Sequence, residues 1–231
     1  RLSMGINPES FNWKLEPGES FETPEAVLCY SPEGMGGMTR RYHDFMRKYI
    51  INPRWVNTPR PLVLNSWEGM HFKFDRDRLF ETIDRIEGLG IDTFVLDDGW
   101  FGARNSDRAG LGDWFVNEEK LPGGLKAVAD RCHERGLKFG LWIEPEMVNP
   151  DSDLYRAHPD WALSAPDRKP YEARNQLVLD FSRRDVVDYI KKVMYDVIAN
   201  SGAEYIKWDM NRSLSEDWSH ALPADREGEV Q

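Results

Sequence analysis

The segment Glu204–Tyr205–Ile206–Lys207–Trp208–Asp209–Met210–Asn211–Arg212 carries the densest chemistry in the chain. Side chains alternate across an extended strand, so Lys207, Asp209 and Asn211 share one face, while Ile206, Trp208 and Met210 take the other. Strands of a parallel sheet covered on both faces are normally apolar throughout. An ammonium and a carboxylate on such a strand must pair or take part in chemistry, because an uncompensated buried charge is costly. Lys207 beside Asp209 is expected, from strand parity, to lower the carboxylate's pKa and keep it ionised at neutral pH. The alternative is a structural Lys–Asp pair closing the strand end.

Asp97 and Asp98 precede Gly99–Trp100. Two successive carboxylates at a strand end can accept hydrogen bonds from two hydroxyls of one polyol. They can equally serve the turn at Gly99. Trp67 and Trp142 fall at strand ends, where an indole either stacks on the C–H face of a sugar ring or fills core. Arg174, in Ala173–Arg174–Asn175–Gln176, is placed to pair with a site carboxylate. Glu144, Glu146 and Asp180 are expected to support the site, and Asp113–Trp114 lies in a long loop that reads as a lid or rim. The five histidines show no metal-ligand spacing, and Cys29 and Cys132 form no CxxC pair, so neither a metal nor a cofactor is expected.

The elements that position these residues follow from the hydrophobic pattern. Short apolar strands begin near Leu62, Thr93, Lys138, Gln176 and Glu204. Between them run helical stripes: Leu79, Ile83 and Ile86; then Leu125, Val128, Ala129 and Cys132; then Val186 through Ile198. Ser182 with Asp185 resembles a capping box opening the last stripe, and residues 151–158 add a short helix. Repeated strand–helix units imply a parallel α/β fold, doubly wound or a (β/α)8 TIM barrel. The strands end in acidic or aromatic residues, which favours the barrel, whose sites are built from several strand C-termini at one face. A dinucleotide fold needs a Gly-rich first turn, whereas Asn65–Ser66–Trp67–Glu68–Gly69 holds one glycine. Residues 58–231 are thus expected to be the N-terminal part of a catalytic barrel, with about five of its eight strands, the rest lying beyond Gln231.

Residues 1–57 have a different texture. Phe11–Leu15 and Ala26–Tyr30 read as strands around a turn at Glu16–Pro17–Gly18. Met38, Tyr42, Phe45, Met46 and Tyr49 make one helical face, which Asn52–Pro53 and Thr58–Pro59 break. This region reads as the end of a β-rich domain plus a connecting helix. The chain opens on Arg1 without a methionine and stops after a polar stretch, as a fragment would. Acidic residues number 40 against 30 basic, a net charge of −10. That balance speaks against a nucleic-acid binder or a partner of anionic membranes, and no apolar run approaches a membrane span. Nine tryptophans in an acidic chain hint at sugar binding.

Five segments resemble, in family order, the family 36 glycoside hydrolases, the bacterial-type α-galactosidases. They are Leu62–Val63–Leu64–Asn65–Ser66–Trp67–Glu68, Leu96–Asp97–Asp98–Gly99–Trp100–Phe101, Gly140–Leu141–Trp142–Ile143–Glu144–Pro145–Glu146–Met147–Val148, Arg174–Asn175–Gln176–Leu177–Val178–Leu179–Asp180 and Lys207–Trp208–Asp209–Met210–Asn211–Arg212. Residues 15–20 resemble the end of that family's N-terminal β-sandwich domain. The resemblance implies a retaining α-galactosidase acting on melibiose- or raffinose-type oligosaccharides, with Asp209 as nucleophile. It implies that Asp97 and Asp98 bind the galactose 4- and 6-hydroxyls and that Lys207, Asn211 and Arg174 contact the sugar. Trp67 and Trp142 would line the pocket. It further implies a homotetramer, a cytoplasmic location, and a general acid/base aspartate downstream of Gln231, without which these 231 residues would not turn over substrate. Within the family, α-N-acetylgalactosaminidase and galactosyl-transferring activities remain open. Outside it, a Mg²⁺-dependent carboxylate-cluster barrel and a non-catalytic sugar-binding module are the alternatives.

Overall fold

A computed structural model describes residues 3–9 and 11–230. They fall into two compact units, one of residues 3–9 with Leu15–Pro61, the other of residues 11–14 with residues 62–230.

In the first unit, α1 (Gly34–Phe45) runs on into a wider π-helical turn at Met46–Ile50. A short α2 (Pro53–Val56) follows, capped by the Asn52 side chain, which accepts from the Arg54 N–H. The helical face expected from Met38 to Tyr49 is therefore present. The expected strands are not: residues 11–15 and 26–30 are irregular. A strand exists through its ladder, and neither stretch has a paired neighbour among the described residues.

The second unit is built on a parallel sheet of four strands, ordered β1 (Val63–Asn65), β2 (Thr93–Leu96), β3 (Lys138–Ile143) and β6 (Tyr205–Trp208). Registers run Leu64 opposite Phe94, Val95 opposite Gly140, and Trp142 opposite Lys207. All of β2, and β3 from Phe139 onward, is buried, as their largely apolar composition allows. Helix α4 (Arg76–Ile86) starts at Asp75, whose carboxylate accepts from the Arg78 N–H, and buries Leu79, Ile83 and Ile86 at helical spacing. Helix α5 (Gly124–Glu134) buries the expected stripe. Helix α7 (Arg184–Ser201) buries Val186, Ile190 and Met194, and ends at Gly202 in the left-handed conformation.

Three expectations are corrected here. The strand beginning near Gln176 does not join the parallel sheet. Arg174 and Asn175 both have positive φ, and Ala173 and Gln176 exchange two backbone hydrogen bonds, which makes a tight hairpin turn. The chain then pairs β5 (Leu177–Val178) antiparallel with β4 (Met147–Val148). The capping box of α7 also fails to form: the Arg183 guanidinium holds Asp185, and Ser182 Oγ donates to Asp180 instead. Third, Asp113–Trp114 is core rather than lid. Both residues are buried, and the Asp113 carboxylate accepts the Asp153 and Leu154 N–H groups at the start of α6 (Asp153–Ala157), 3.0 Å each.

Candidate active site

Every parallel strand ends at one cleft. Asn65 closes β1, Asp97 and Asp98 follow β2, Glu144 follows β3, and Asp209 follows β6. The cleft has a volume of about 330 Å³, and all eight residues expected at a site line it: Trp67, Asp97, Asp98, Trp142, Arg174, Lys207, Asp209 and Asn211.

One wall is a network of buried ions. Asp97 Oδ2 accepts from Asn65 Nδ2 at 2.5 Å and from Lys207 Nζ at 2.7 Å, while its Oδ1 takes the Asp98 N–H. Asp98 is gripped by Arg104 at both oxygens, Nε to Oδ1 at 2.9 Å and Nη2 to Oδ2 at 2.7 Å. Arg104 is only 1% exposed. Burial pushes the Asp98 pKa up, against the pull of the guanidinium. Gly99 then turns the chain at φ +110°, where a Cβ would also crowd Phe72 at 3.0 Å. Lys120 spans three carbonyl groups at this wall, donating to Phe72, Gly99 and Arg104.

The floor is different. Asp209 is half-buried, and its Oδ2 accepts from the Trp142 indole N–H at 3.0 Å and from Asn211 Nδ2 at 2.8 Å. Its Oδ1 accepts the Met210 N–H at 3.0 Å. Partial burial pushes its pKa up, but the N–H groups of Trp142, Asn211 and Met210, with a smaller effect from the Lys207 charge, outweigh it and hold the carboxyl below its ordinary value. The alternative of a structural Lys207–Asp209 pair does not form, since Lys207 reaches across to Asp97; its charge still lowers the Asp209 pKa as expected, with neutral donors contributing more. Asn211 is anchored in turn, its N–H donating to Glu144 Oε1 at 2.6 Å and its side-chain oxygen accepting from Arg174 Nη1 at 3.0 Å. Burial, opposed by the Asn211 bonds, raises the Glu144 pKa, and its Oε2 takes Gln176 Nε2.

The tryptophans divide by role. Trp100, Trp114 and Trp142 pack with Phe101 in one aromatic cluster, with the Trp142 ring 6.1 Å from Phe101 and parallel to within 3°. Trp142 is thus core by its ring and part of the site by its N–H. Trp67 opens α3 (Trp67–Met70) and stands edge-on to Phe72 at the cleft. Glu146 takes the Trp208 indole N–H, and Asp180 holds Ser182 and Ser219; neither lines the cleft. Burial pushes the Cys132 thiol up to about 12, which leaves it inert at neutral pH. Among the described residues no three His, Cys, Asp or Glu side chains gather in a metal-holding group, and no helix is long and apolar enough to cross a membrane.

Sequence reasoning missed Arg104, Phe72, Asp107 and Gln176, which also line the cleft. Arg104 stands in a loop of mixed polar residues, where a buried cation has no periodic signature. Its proximity to Asp97–Asp98 was the one available sign.

Carboxylates, cations and indoles gathered at the C-terminal ends of parallel strands form the arrangement by which barrel-type α/β proteins build their sites. The Melibiase family pattern matches residues 20–231, and the chain belongs to that family. It is 50% identical over 230 residues to the α-galactosidase AgaA of Geobacillus stearothermophilus, and 45% identical over 229 residues to the α-galactosidase Mel36A of Lactobacillus acidophilus. Those alignments take in 100% and 99% of this chain, but 32% and 31% of the relatives. The chain thus spans about a third of the length of these curated relatives. A crystal structure of a variant of the Geobacillus enzyme, described as a family 36 α-galactosidase in complex with raffinose, superposes with a TM-score of 0.94 at 50% identity, covering 98% of this chain and 32% of that one. The likeness to family 36 glycoside hydrolases carried by the five segments therefore stands.

Proposed function

We propose that the protein containing this chain is a retaining α-galactosidase that removes terminal α-galactosyl units from melibiose- and raffinose-type oligosaccharides, with Asp209 as its nucleophile. One observation carries the assignment of Asp209: it is the cleft carboxylate held ionised by N–H donors while still half open to the cleft. Asp97 and Asp98 are each held by cations or amides, yet Asp97 Oδ1, which takes one N–H, and the Asp98 carboxylate, with one guanidinium donor on each oxygen, keep acceptor capacity for a sugar hydroxyl. That suits them to binding the 4- and 6-hydroxyls. Lys207, Arg174 and Asn211 are assigned to the remaining hydroxyls, and Trp67 and Trp142 to the walls.

In the reaction, an Asp209 oxygen bonds to the anomeric carbon as the glycosidic C–O bond breaks, through an oxocarbenium-like transition state. The leaving oxygen takes a proton from a general acid. Water then opens the β-galactosyl ester with that group acting as base, which restores the α configuration. The acid/base is assigned outside these 231 residues, so the chain alone is expected to be inactive. Residues 1–57 are assigned to the end of an N-terminal β-sandwich domain. The relatives named as α-galactosidases, and the raffinose complex of one of them, support the substrate class.

The test uses the full-length protein and its Asp209→Gly variant with 4-nitrophenyl α-galactoside. Hydrolysis is expected to be lost in the variant and restored by azide, with β-galactosyl azide as product. A variant that still cleaves without azide would remove Asp209 from the mechanism. A wild-type protein that ignores the substrate would remove the activity.

A further inference from the structure

Asn149 lies just beyond β4, is completely buried and does not line the cleft. Every hydrogen-bonding capacity of its side-chain amide is nevertheless used. Oδ1 accepts from Arg104 Nη1 at 2.8 Å and from the Leu111 N–H at 2.8 Å. Nδ2 donates to the Asp107 carbonyl at 3.1 Å and to the Asn175 carbonyl at 2.6 Å. Its backbone is satisfied as well, the N–H donating to the Leu111 carbonyl and the carbonyl accepting from Ser152 Oγ.

These partners come from two loops that both line the cleft and that also touch directly, Asn175 Nδ2 donating to Asp107 Oδ2 at 3.1 Å. Arg104 and Asp107 lie on the loop that follows β2 and end at Asp98 through the two-pronged guanidinium contact. Asn175 shares the hairpin turn with Arg174, which ends at Asn211 and so at Asp209. Asn149 is the buried point at which the two chains of contacts meet. A single planar amide fixes both ends at once: its acceptor takes Arg104 and Leu111 of the loop after β2, and its donor bridges Asp107 of that loop to Asn175 of the hairpin. No other residue type of that size presents two acceptor and two donor sites in that arrangement.

From this geometry we infer that Asn149 is a positioning residue for the sugar site: it sets the span between the Asp98–Arg104 side and the Arg174–Asn211 side. This rests on reading the cleft as the galactosyl pocket. Asn149→Asp isolates the effect. The carboxylate keeps an acceptor for Arg104 and Leu111, but turns a second oxygen toward the Asp107 and Asn175 carbonyls, which lose their donor and are repelled. The Arg174 turn thereby loses its buried anchor and keeps only the Asn175–Asp107 side-chain contact, while Arg104 keeps its acceptor and its grip on Asp98.

The experiment measures kcat, KM and inhibition by free galactose in the full-length protein. N149D is expected to raise KM and the galactose inhibition constant about tenfold, the scale of one lost hydrogen bond, with kcat changed much less. In an Arg174→Ala background the same substitution is expected to have little further effect, since residues acting through one network are not additive. Should N149D not accumulate as folded protein, Asn149→Ser carries the same test, because its hydroxyl is too short to span both loops. A variant with lowered Tm but unchanged KM and galactose inhibition would overturn the inference, as would an undiminished effect in the Arg174→Ala background. A wild-type protein that neither cleaves 4-nitrophenyl α-galactoside nor binds galactose would overturn the reading of the cleft as well, and is told apart by that result.

Discussion

Asp98 and Asp209 stand at the C-terminal ends of β2 and β6 and face one cleft, yet their charge is managed in opposite ways. Asp98 has a full guanidinium at bonding distance on both oxygens, and its pKa is still raised, because burial costs the ion more than the pair returns. Asp209 touches no cation, and its pKa is lowered by an indole, an amide and a backbone N–H, because it keeps part of its solvation. Solvent access, more than formal charge pairing, therefore sets the direction in which each carboxylate's pKa moves. The two also respond oppositely to acid. A raised folded pKa means that protonation favours the folded state, so Asp98 contributes more stability as pH falls through its folded value. The contribution of Asp209 is present above the ordinary carboxylate range and is lost as pH falls through its lowered value.

The largest expected effect tests the wall. Arg104→Met leaves the Asp98 carboxylate buried and uncompensated, and is expected to cost about 3–5 kcal/mol of stability by denaturant unfolding. An unchanged midpoint would mean that Asp98 simply protonates, and the comparison would lose one side. The next tests the floor. Trp142→Phe removes the indole N–H from a charged acceptor, an interaction of about 1.5–3 kcal/mol. In the full-length protein the acidic limb of kcat/KM is expected to move to higher pH, and an unmoved limb would return control of Asp209 to other groups. Lys207→Met sharpens the contrast. Because Lys207 bonds Asp97, KM for 4-nitrophenyl α-galactoside is expected to rise about tenfold, the scale of one lost charge-assisted contact, while the acidic limb moves less than in Trp142→Phe. A larger shift than in the tryptophan variant would restore the direct Lys207–Asp209 coupling suggested by strand parity.

The smallest effect concerns a third carboxylate, remote from the cleft. Asp113 accepts only backbone N–H groups, and burial raises its pKa in spite of them. Asp113→Ala is expected to cost about 1 kcal/mol of stability, as for a lost helix cap, with KM unchanged. A changed KM would connect this cap to the cleft.

Strand parity grouped Lys207, Asp209 and Asn211, and all three line the cleft, although β6 itself ends at Trp208. The stripes of α4, α5 and α7 were legible because they follow a local repeat of the backbone. The departures have particular causes. Leu177–Val178 has the composition of a buried strand, but two consecutive left-handed residues, Arg174 and Asn175, turn it onto β4; Asn175 is of a type that tolerates that conformation, whereas Arg174 gives no sign of it. Phe11–Leu15 reads as strand yet has no ladder among the described residues. Asp113–Trp114 reads as an exposed loop because loops are usually polar and outside, whereas here the carboxylate caps α6 and the indole packs among Trp100, Phe101 and Trp142.

The sequence by itself determined which groups could react and toward which side of its strand each would point, because both follow from residue type and a local repeat of the backbone. Only the tertiary structure decided the partners. Lys207 meets Asp97 across 110 residues of chain, Trp142 meets Asp209 across 67, and Asn149 joins loops 45 and 26 residues away. Those distances are set by sheet register and by the paths of the loops, and they determine how much solvent each carboxylate keeps. That retained solvent in turn sets the direction in which each aspartate's pKa moves.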